Sequence, residues 1–143
     1  MNKKIIAIPI VVIIGIFLTL SLFDSPQKEN NLVFHITLAE PSLYVDGVYS
    51  EKISIKEGEY YFRFVPNGSS PEMLTIQMNG KNFQFEENFQ LKNTLHQTGI
   101  SEYYTWEYEG QNSITIVETQ DLEISINPNG NVMGSVSVDI LEK

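Results

Sequence analysis

Residues 103–110 read YYTWEYEG, four aromatic rings within the six residues from Tyr103 to Tyr108. As a strand, with successive side chains on opposite faces, this stretch puts Tyr104, Trp106 and Tyr108 on one side and Tyr103, Thr105, Glu107 and Glu109 on the other. Two glutamates and a threonine favour water, so the Tyr-Trp-Tyr face is expected to point inward against a second sheet. Trp106, the one tryptophan of the chain, is then a packing centre. The same row on an open face is instead a stacking platform for sugar rings or for the side chains of a partner. Tyr103 is expected at the surface in either arrangement.

The alternation extends outward through the chain. Leu32, Phe34, Ile36 and Leu38 alternate with Val33, His35 and Thr37; Tyr60, Phe62 and Phe64 with Tyr61, Arg63 and Val65; Leu74, Ile76 and Met78 with Thr75 and Gln77. Asp46-Gly47 and Asn79-Gly80 are hairpin-turn dipeptides, because Gly, Asn and Asp tolerate the positive φ that tight turns need. Glu57-Gly58, Glu109-Gly110 and the Pro128-Asn129-Gly130-Asn131 run mark further reversals. Strands are expected near 32–38, 43–49, 52–56, 59–65, 72–79, 81–85, 100–108, 112–118, 121–127 and 132–141. Residues 86–98 fit an eleventh strand or one helical turn equally well. About ten short strands with no helical period predict an all-β fold, an antiparallel β-sandwich of jelly-roll-like or Ig-like double-sheet type.

Before that domain stands an uncharged run, residues 5–22, preceded by Lys3 and Lys4. As a helix it is about 27 Å long, close to the ~30 Å hydrocarbon thickness of a bilayer. The run exceeds the apolar core of a cleaved signal peptide and its exit lacks an A-x-A pattern, so residues 1–23 are expected to be an uncleaved transmembrane signal-anchor, with a cleaved signal peptide, which shares the basic-then-apolar layout, as the alternative. Lys3 and Lys4 keep the amino terminus cytoplasmic. Residues 24–31, DSPQKENN, read as a linker, and residues 32–143 as one extracytoplasmic domain. The expected location is therefore the cytoplasmic membrane, single-pass, with the carboxyl-terminal domain outside.

All 18 acidic residues follow position 23, as do 7 of the 9 basic ones, which gives the exported part a charge of 7 − 18 = −11. An acidic domain lacks the basic footprint that nucleic-acid binding needs and is repelled by anionic lipid. There is no cysteine, so core burial must carry its stability.

The chemistry-bearing residues are sparse. His35 and His96 are the two histidines, and with Met73, Met78 and Met133 they invite a copper reading, but the absence of cysteine excludes a His₂Cys centre and no close ligand spacing is present. No G-x-S-x-G elbow or H-E-x-x-H occurs. The carboxylate pairs Glu86-Glu87 and Asp121 with Glu123 could serve a glycosidase or bind Ca²⁺, but pairs arise by chance among 18 acids, and the second, at i, i+2, is more simply a solvated strand face. No catalytic, cofactor or metal residue is therefore assigned, and no enzyme is expected. Asn67-Gly68-Ser69 is an N-x-S sequon between Pro66 and Pro71, which makes Asn67 the candidate glycosylation site in an exported loop.

Residues 40–68, EPSLYVDGVYSEKISIKEGEYYFRFVPNG, resemble PEGA-type modules, small β-rich surface domains, through Pro41, Val45, Asp46, Gly47, Gly58 and Tyr60. The G-x-T-P of that family is absent between the two halves. The overall layout is similar to the uncharacterised membrane-anchored exported β-sandwich proteins of archaeal cell envelopes. Both resemblances imply a noncatalytic surface module. The expected function is a membrane-anchored interaction or accessory module with an envelope or membrane protein as partner, contacting it through Tyr103, Asn67 and His96. The alternatives are a small-ligand binder, for glycan or copper, and a hydrolase.

Overall fold

The computed structural model describes residues 31–143; the expected anchor and all but the last residue of the linker lie outside the described residues. Nine strands form: β1 (Leu32–Leu38), β2 (Tyr49–Ile55), β3 (Gly58–Pro66), β4 (Met73–Gly80), β5 (Gln84–Gln97), β6 (Glu102–Glu109), β7 (Ser113–Ile116), β8 (Gln120–Asn127) and β9 (Val136–Glu142). They make two sheets, β1-β9-β3-β7 and β2-β8-β4-β5-β6, in which each pairing is antiparallel. Among the described residues the only helical element is a 3-10 turn, Pro41–Leu43, and no helix is long and apolar enough to cross a membrane.

The period-two residues supply the core. Phe34, Leu38, Tyr60, Phe62, Ile114, Ile116, Val136, Val138 and Ile140 of the four-stranded sheet join Ile55, Leu74, Ile76, Met78, Phe85, Phe89, Leu122, Ile124 and Ile126 of the other in one buried cluster. Each such side chain contributes roughly 1.5–3 kcal/mol when fully buried. Aromatic rings stitch the two sheets together. Phe62 lies 5.5 Å from Phe85 and 5.6 Å from Phe89, and Phe64 lies 4.8 Å from Phe89, centroid to centroid. Two facing antiparallel layers around one apolar core are the arrangement that the alternation predicts.

Four local expectations change, the first at the end of the chain: β9 starts at Val136 and not at 132, because the preceding residues turn back through a Gly134 N–H to Asn131 C=O bond of 3.3 Å. The span 43–49 is not one strand: the 3-10 turn leads into a tight reversal at Asp46 and Gly47, with φ of 51° and 82°, closed by the Val45–Val48 bridge, and β2 starts only at Tyr49. Asn79 and Gly80 are still strand. The turn falls two residues later, at Lys81-Asn82, where Gly80 N–H donates to Phe83 C=O at 2.8 Å, so β5 starts at Gln84 and not at 81. Residues 86–98 contain no helical turn; residues 84–97 form one strand of 14 residues, the longest described.

That length positions the arm of the molecule. β5 pairs with β4 only from Gln84 to Gln90, and with β6 only from Gln90 to Gln97. One further bond, Leu91 N–H to Glu72 C=O at 2.8 Å, closes the β4 side. Beyond it β5 and β6 continue as a two-stranded hairpin, closed at Thr98 and Ser101 by a backbone bond of 2.8 Å.

Candidate functional site

The arm has two faces, set by strand parity. On the face continuous with the core, Leu91, Asn93 and Leu95 stand opposite Tyr108, Trp106 and Tyr104. On the other, Lys92, Thr94 and His96 stand opposite Glu107, Thr105 and Tyr103.

The Tyr-Trp-Tyr row keeps the predicted side of the sheet but not the predicted burial. Tyr108 reaches the core edge: its ring lies 5.1 Å from Phe64 and its hydroxyl donates to the Pro71 carbonyl at 2.5 Å. Burial, and then the neighbouring Tyr44 phenol, push the Tyr108 hydroxyl far above its ordinary pKa. Trp106 is half-buried, held against Gly68, and Tyr104 is 54% exposed with its ring 6.3 Å from the indole. The expected inward wall is thus corrected to a gradient. The facing sheet covers only the root of the arm, and the same side chain types run on past it into solvent.

Of the three expected contact residues, two come together. His96 stacks on Tyr103 with centroids 4.8 Å apart and rings 12° from parallel, and its Nε2 lies 2.8 Å from Thr105 Oγ1. Tyr103 is 51% exposed, as expected. At the tip Ile100 is 98% exposed. Asn67 sits apart, in the exposed loop after β3. Its Oδ1 accepts from Ser69 N–H at 2.8 Å and from Ser69 Oγ at 2.6 Å. Buried Ser70 pins that loop, accepting from Asn67 N–H at 2.9 Å and donating to Ser135 C=O at 2.5 Å.

Between this loop and the root of the arm runs a groove of about 460 Å³. Gly68, Ser69, Ser70 and Glu72 form one wall; Gln90, Leu91, Asn93 and Trp106 form the other, and Asn131 lies at its rim. Sequence reasoning missed it, because its walls come from loops and strands far apart in the chain.

A second cluster went unread for the same reason. On the outer face of the four-stranded sheet, Asp139 of β9 lies between His35 of β1 and Arg63 of β3, its cross-strand neighbours. Asp139 is only 3% exposed. Its Oδ1 is 2.5 Å from His35 Nδ1, and its Oδ2 accepts from Arg63 Nε at 2.9 Å and Nη2 at 2.6 Å. Burial alone would raise the carboxyl pKa, but the hydrogen bonds and charges of His35 and Arg63 together hold it below its ordinary value. Thr37 Oγ1 lies 3.4 Å from His35 Nε2 and 2.8 Å from Ser137 Oγ. Carboxylate, imidazole and hydroxyls therefore line up, but on an open sheet face with Arg63 neutralising the acid.

His35 and His96 do not converge. Each stands on the outward face of its own sheet, and the two outward faces look away from each other. Met78 is fully buried in the core, whereas Met133 is exposed. Among the described residues no group of three or more His, Cys, Asp or Glu side chains is placed to hold a metal ion. Glu86 accepts from Gln77 Nε2 at 3.1 Å, and Glu123 stands opposite Lys52 in the register of β2 with β8.

Fold and site together define an all-β domain of two antiparallel sheets with a projecting hairpin. No protein-family model, no curated protein and no solved structure matches this chain.

Proposed function

We propose that this chain is a membrane-anchored, extracytoplasmic, noncatalytic interaction module of the cell envelope, and that its β5–β6 arm receives another envelope protein. In this reading residues 5–22 span the bilayer with the amino terminus inside, and the domain is a jelly-roll-like or Ig-like sandwich of the PEGA-like surface type. The six passages of the chain between the two sheets support that architecture.

The observation that carries the reading is the unpaired arm. Past Leu91 the β4 side of β5 has no strand partner among the described residues, and β6 is the last strand of its sheet. A two-stranded hairpin is marginal in water, and unpaired strand edges recruit further strands. Tyr103, Tyr104, Leu95 and Ile100 add exposed apolar surface to the same arm. Glu102, Glu107 and Glu109 give β6 three carboxylates and no basic residue, so a second copy at this edge brings acidic strand to acidic strand. A strand with basic residues at alternate positions fits instead.

Cross-linking on intact membranes tests this. Lys92, on the arm, is expected to capture one reproducible neighbour that Lys52 and Lys81 do not. Self-links alone, or identical captures from all three lysines, contradict it.

The hydrolase reading has one observation in its favour, the Asp139–His35–Thr37 alignment. Under the proposal made here that row is structural, and neither Thr37 nor Ser137 becomes labelled by a fluorophosphonate probe.

A further inference from the structure

Strand addition at the outer edge of β6 leaves the groove beside Trp106 unused, because the groove opens on the β4 side of β5. We propose that this groove is a binding site for a neutral oligosaccharide. Five of its nine lining residues, Ser69, Glu72, Gln90, Asn93 and Asn131, offer a hydroxyl, carboxylate or amide, while the Ser70 hydroxyl is engaged within its own loop. Sugar hydroxyls donate and accept at once, and hydroxyls and amides answer both roles. The C–H face of a pyranose is apolar and matches the face of an aromatic ring. Trp106 supplies that ring within the groove, and exposed Tyr104, 6.3 Å further along, extends the row for a second sugar unit.

The walls are held in place before any ligand arrives. A Cβ on Gly68 would stand 3.3 Å from Trp106 Cζ2, so the loop lies close against the indole and a side chain there would displace the ring by a few tenths of an ångström. At Gly134 a Cβ would stand 2.5 Å from the Ser69 carbonyl oxygen, and Asn131 Nδ2 donates to that same oxygen at 3.3 Å. Pre-set walls reduce the ordering cost of binding. Charge selects among saccharides: the groove is lined by one carboxylate and no cation, in a domain of charge −11, so uronate or phosphate chains are repelled. The volume of about 460 Å³ lies within the usual range for small-ligand sites.

Because Trp106 is the only tryptophan, its emission reports on the groove directly. The full chain in detergent micelles is titrated with cellotetraose, maltotetraose, chitotetraose and, as the acidic comparison, tetragalacturonate. At least one neutral tetrasaccharide is expected to shift the emission saturably with a Kd at or below about 1 mM, and tetragalacturonate is expected not to. Asn93→Ala, at an exposed position, should raise that Kd about three- to ten-fold, the worth of one hydrogen bond. Val117→Ser, at an exposed position in the turn between β7 and β8, should leave it unchanged. Calorimetry on Trp106→Ala should show no binding heat. No shift with any neutral chain up to about 10 mM, an unchanged Kd in Asn93→Ala, or equal binding of tetragalacturonate overturns the proposal. The outcome is independent of the Lys92 cross-link, so either reading can fail without the other.

Discussion

The two halves of β5 are one strand with one parity and opposite fates. Phe85 and Phe89 are buried, Phe89 completely, whereas Leu95, six residues on and on the same face, is 43% exposed. Nothing in the side chains themselves makes this difference. Phe85 and Phe89 have Phe62 of the facing sheet within ring contact, and Leu95 has passed the edge of that sheet. Alternation tells which face a residue takes; the reach of the opposite layer decides whether that face is dry.

The largest expected break in the comparison is at Phe89. Phe89→Ala should lower unfolding free energy by about 3–5 kcal/mol in urea titrations, while Leu95→Ala should stay within about 0.5 kcal/mol of the parent. A similar loss in both would mean that the arm is packed and not open. Gly110→Ala should act on the same ring from the other side: its Cβ would stand 2.6 Å from Phe89 Cδ1, and overpacking of this kind costs about 1–3 kcal/mol.

The outer face of the other sheet gives a sharper test through pH. The Asp139 pKa is lowered in the folded state, so its stabilisation is fully present above the unfolded value of about 3.9 and disappears as pH falls through the folded value. Asp139→Asn should cost about 1–3 kcal/mol at pH 7, less than breaking a fully buried pair, because Arg63 and His35 are half exposed and return to water. The difference from the parent should shrink below about pH 4 in acid titrations followed by circular dichroism. Tyr108→Phe, which removes the bond to Pro71, should cost about 0.5–1.5 kcal/mol. Smallest of all, Tyr103→Ala should leave the melting curve unchanged and weaken only the capture of a neighbour by Lys92.

The strands with unbroken alternation were legible in the sequence. LVFHITL matches β1 residue for residue, and the Asp46-Gly47 turn falls where its φ preference puts it. β5 was not legible, because QFEENFQLKNTLHQ carries few β-branched or aromatic residues and its second half has no core to face. The Asn79-Gly80 dipeptide misled for a different reason. Gly80 is needed as strand, where its missing Cβ leaves room for Gln120 and Leu122 of the neighbouring strand. Asp139 was invisible as a buried acid, since the groups that cover it lie 76 and 104 residues away in the chain. Of the candidate site, Tyr103 could be placed on the polar face from parity alone. Its stacking on His96 depends on the register of β5 with β6, which a weakly patterned strand does not announce.

Hydrogen exchange on the full chain, compared between native membranes and detergent, tests the docking role of the arm most directly. The amides of β6 that point away from β5 should exchange slowly in the membrane and quickly in detergent, while residues 84–90 stay protected in both. Equal exchange of the arm in the two settings would contradict the account.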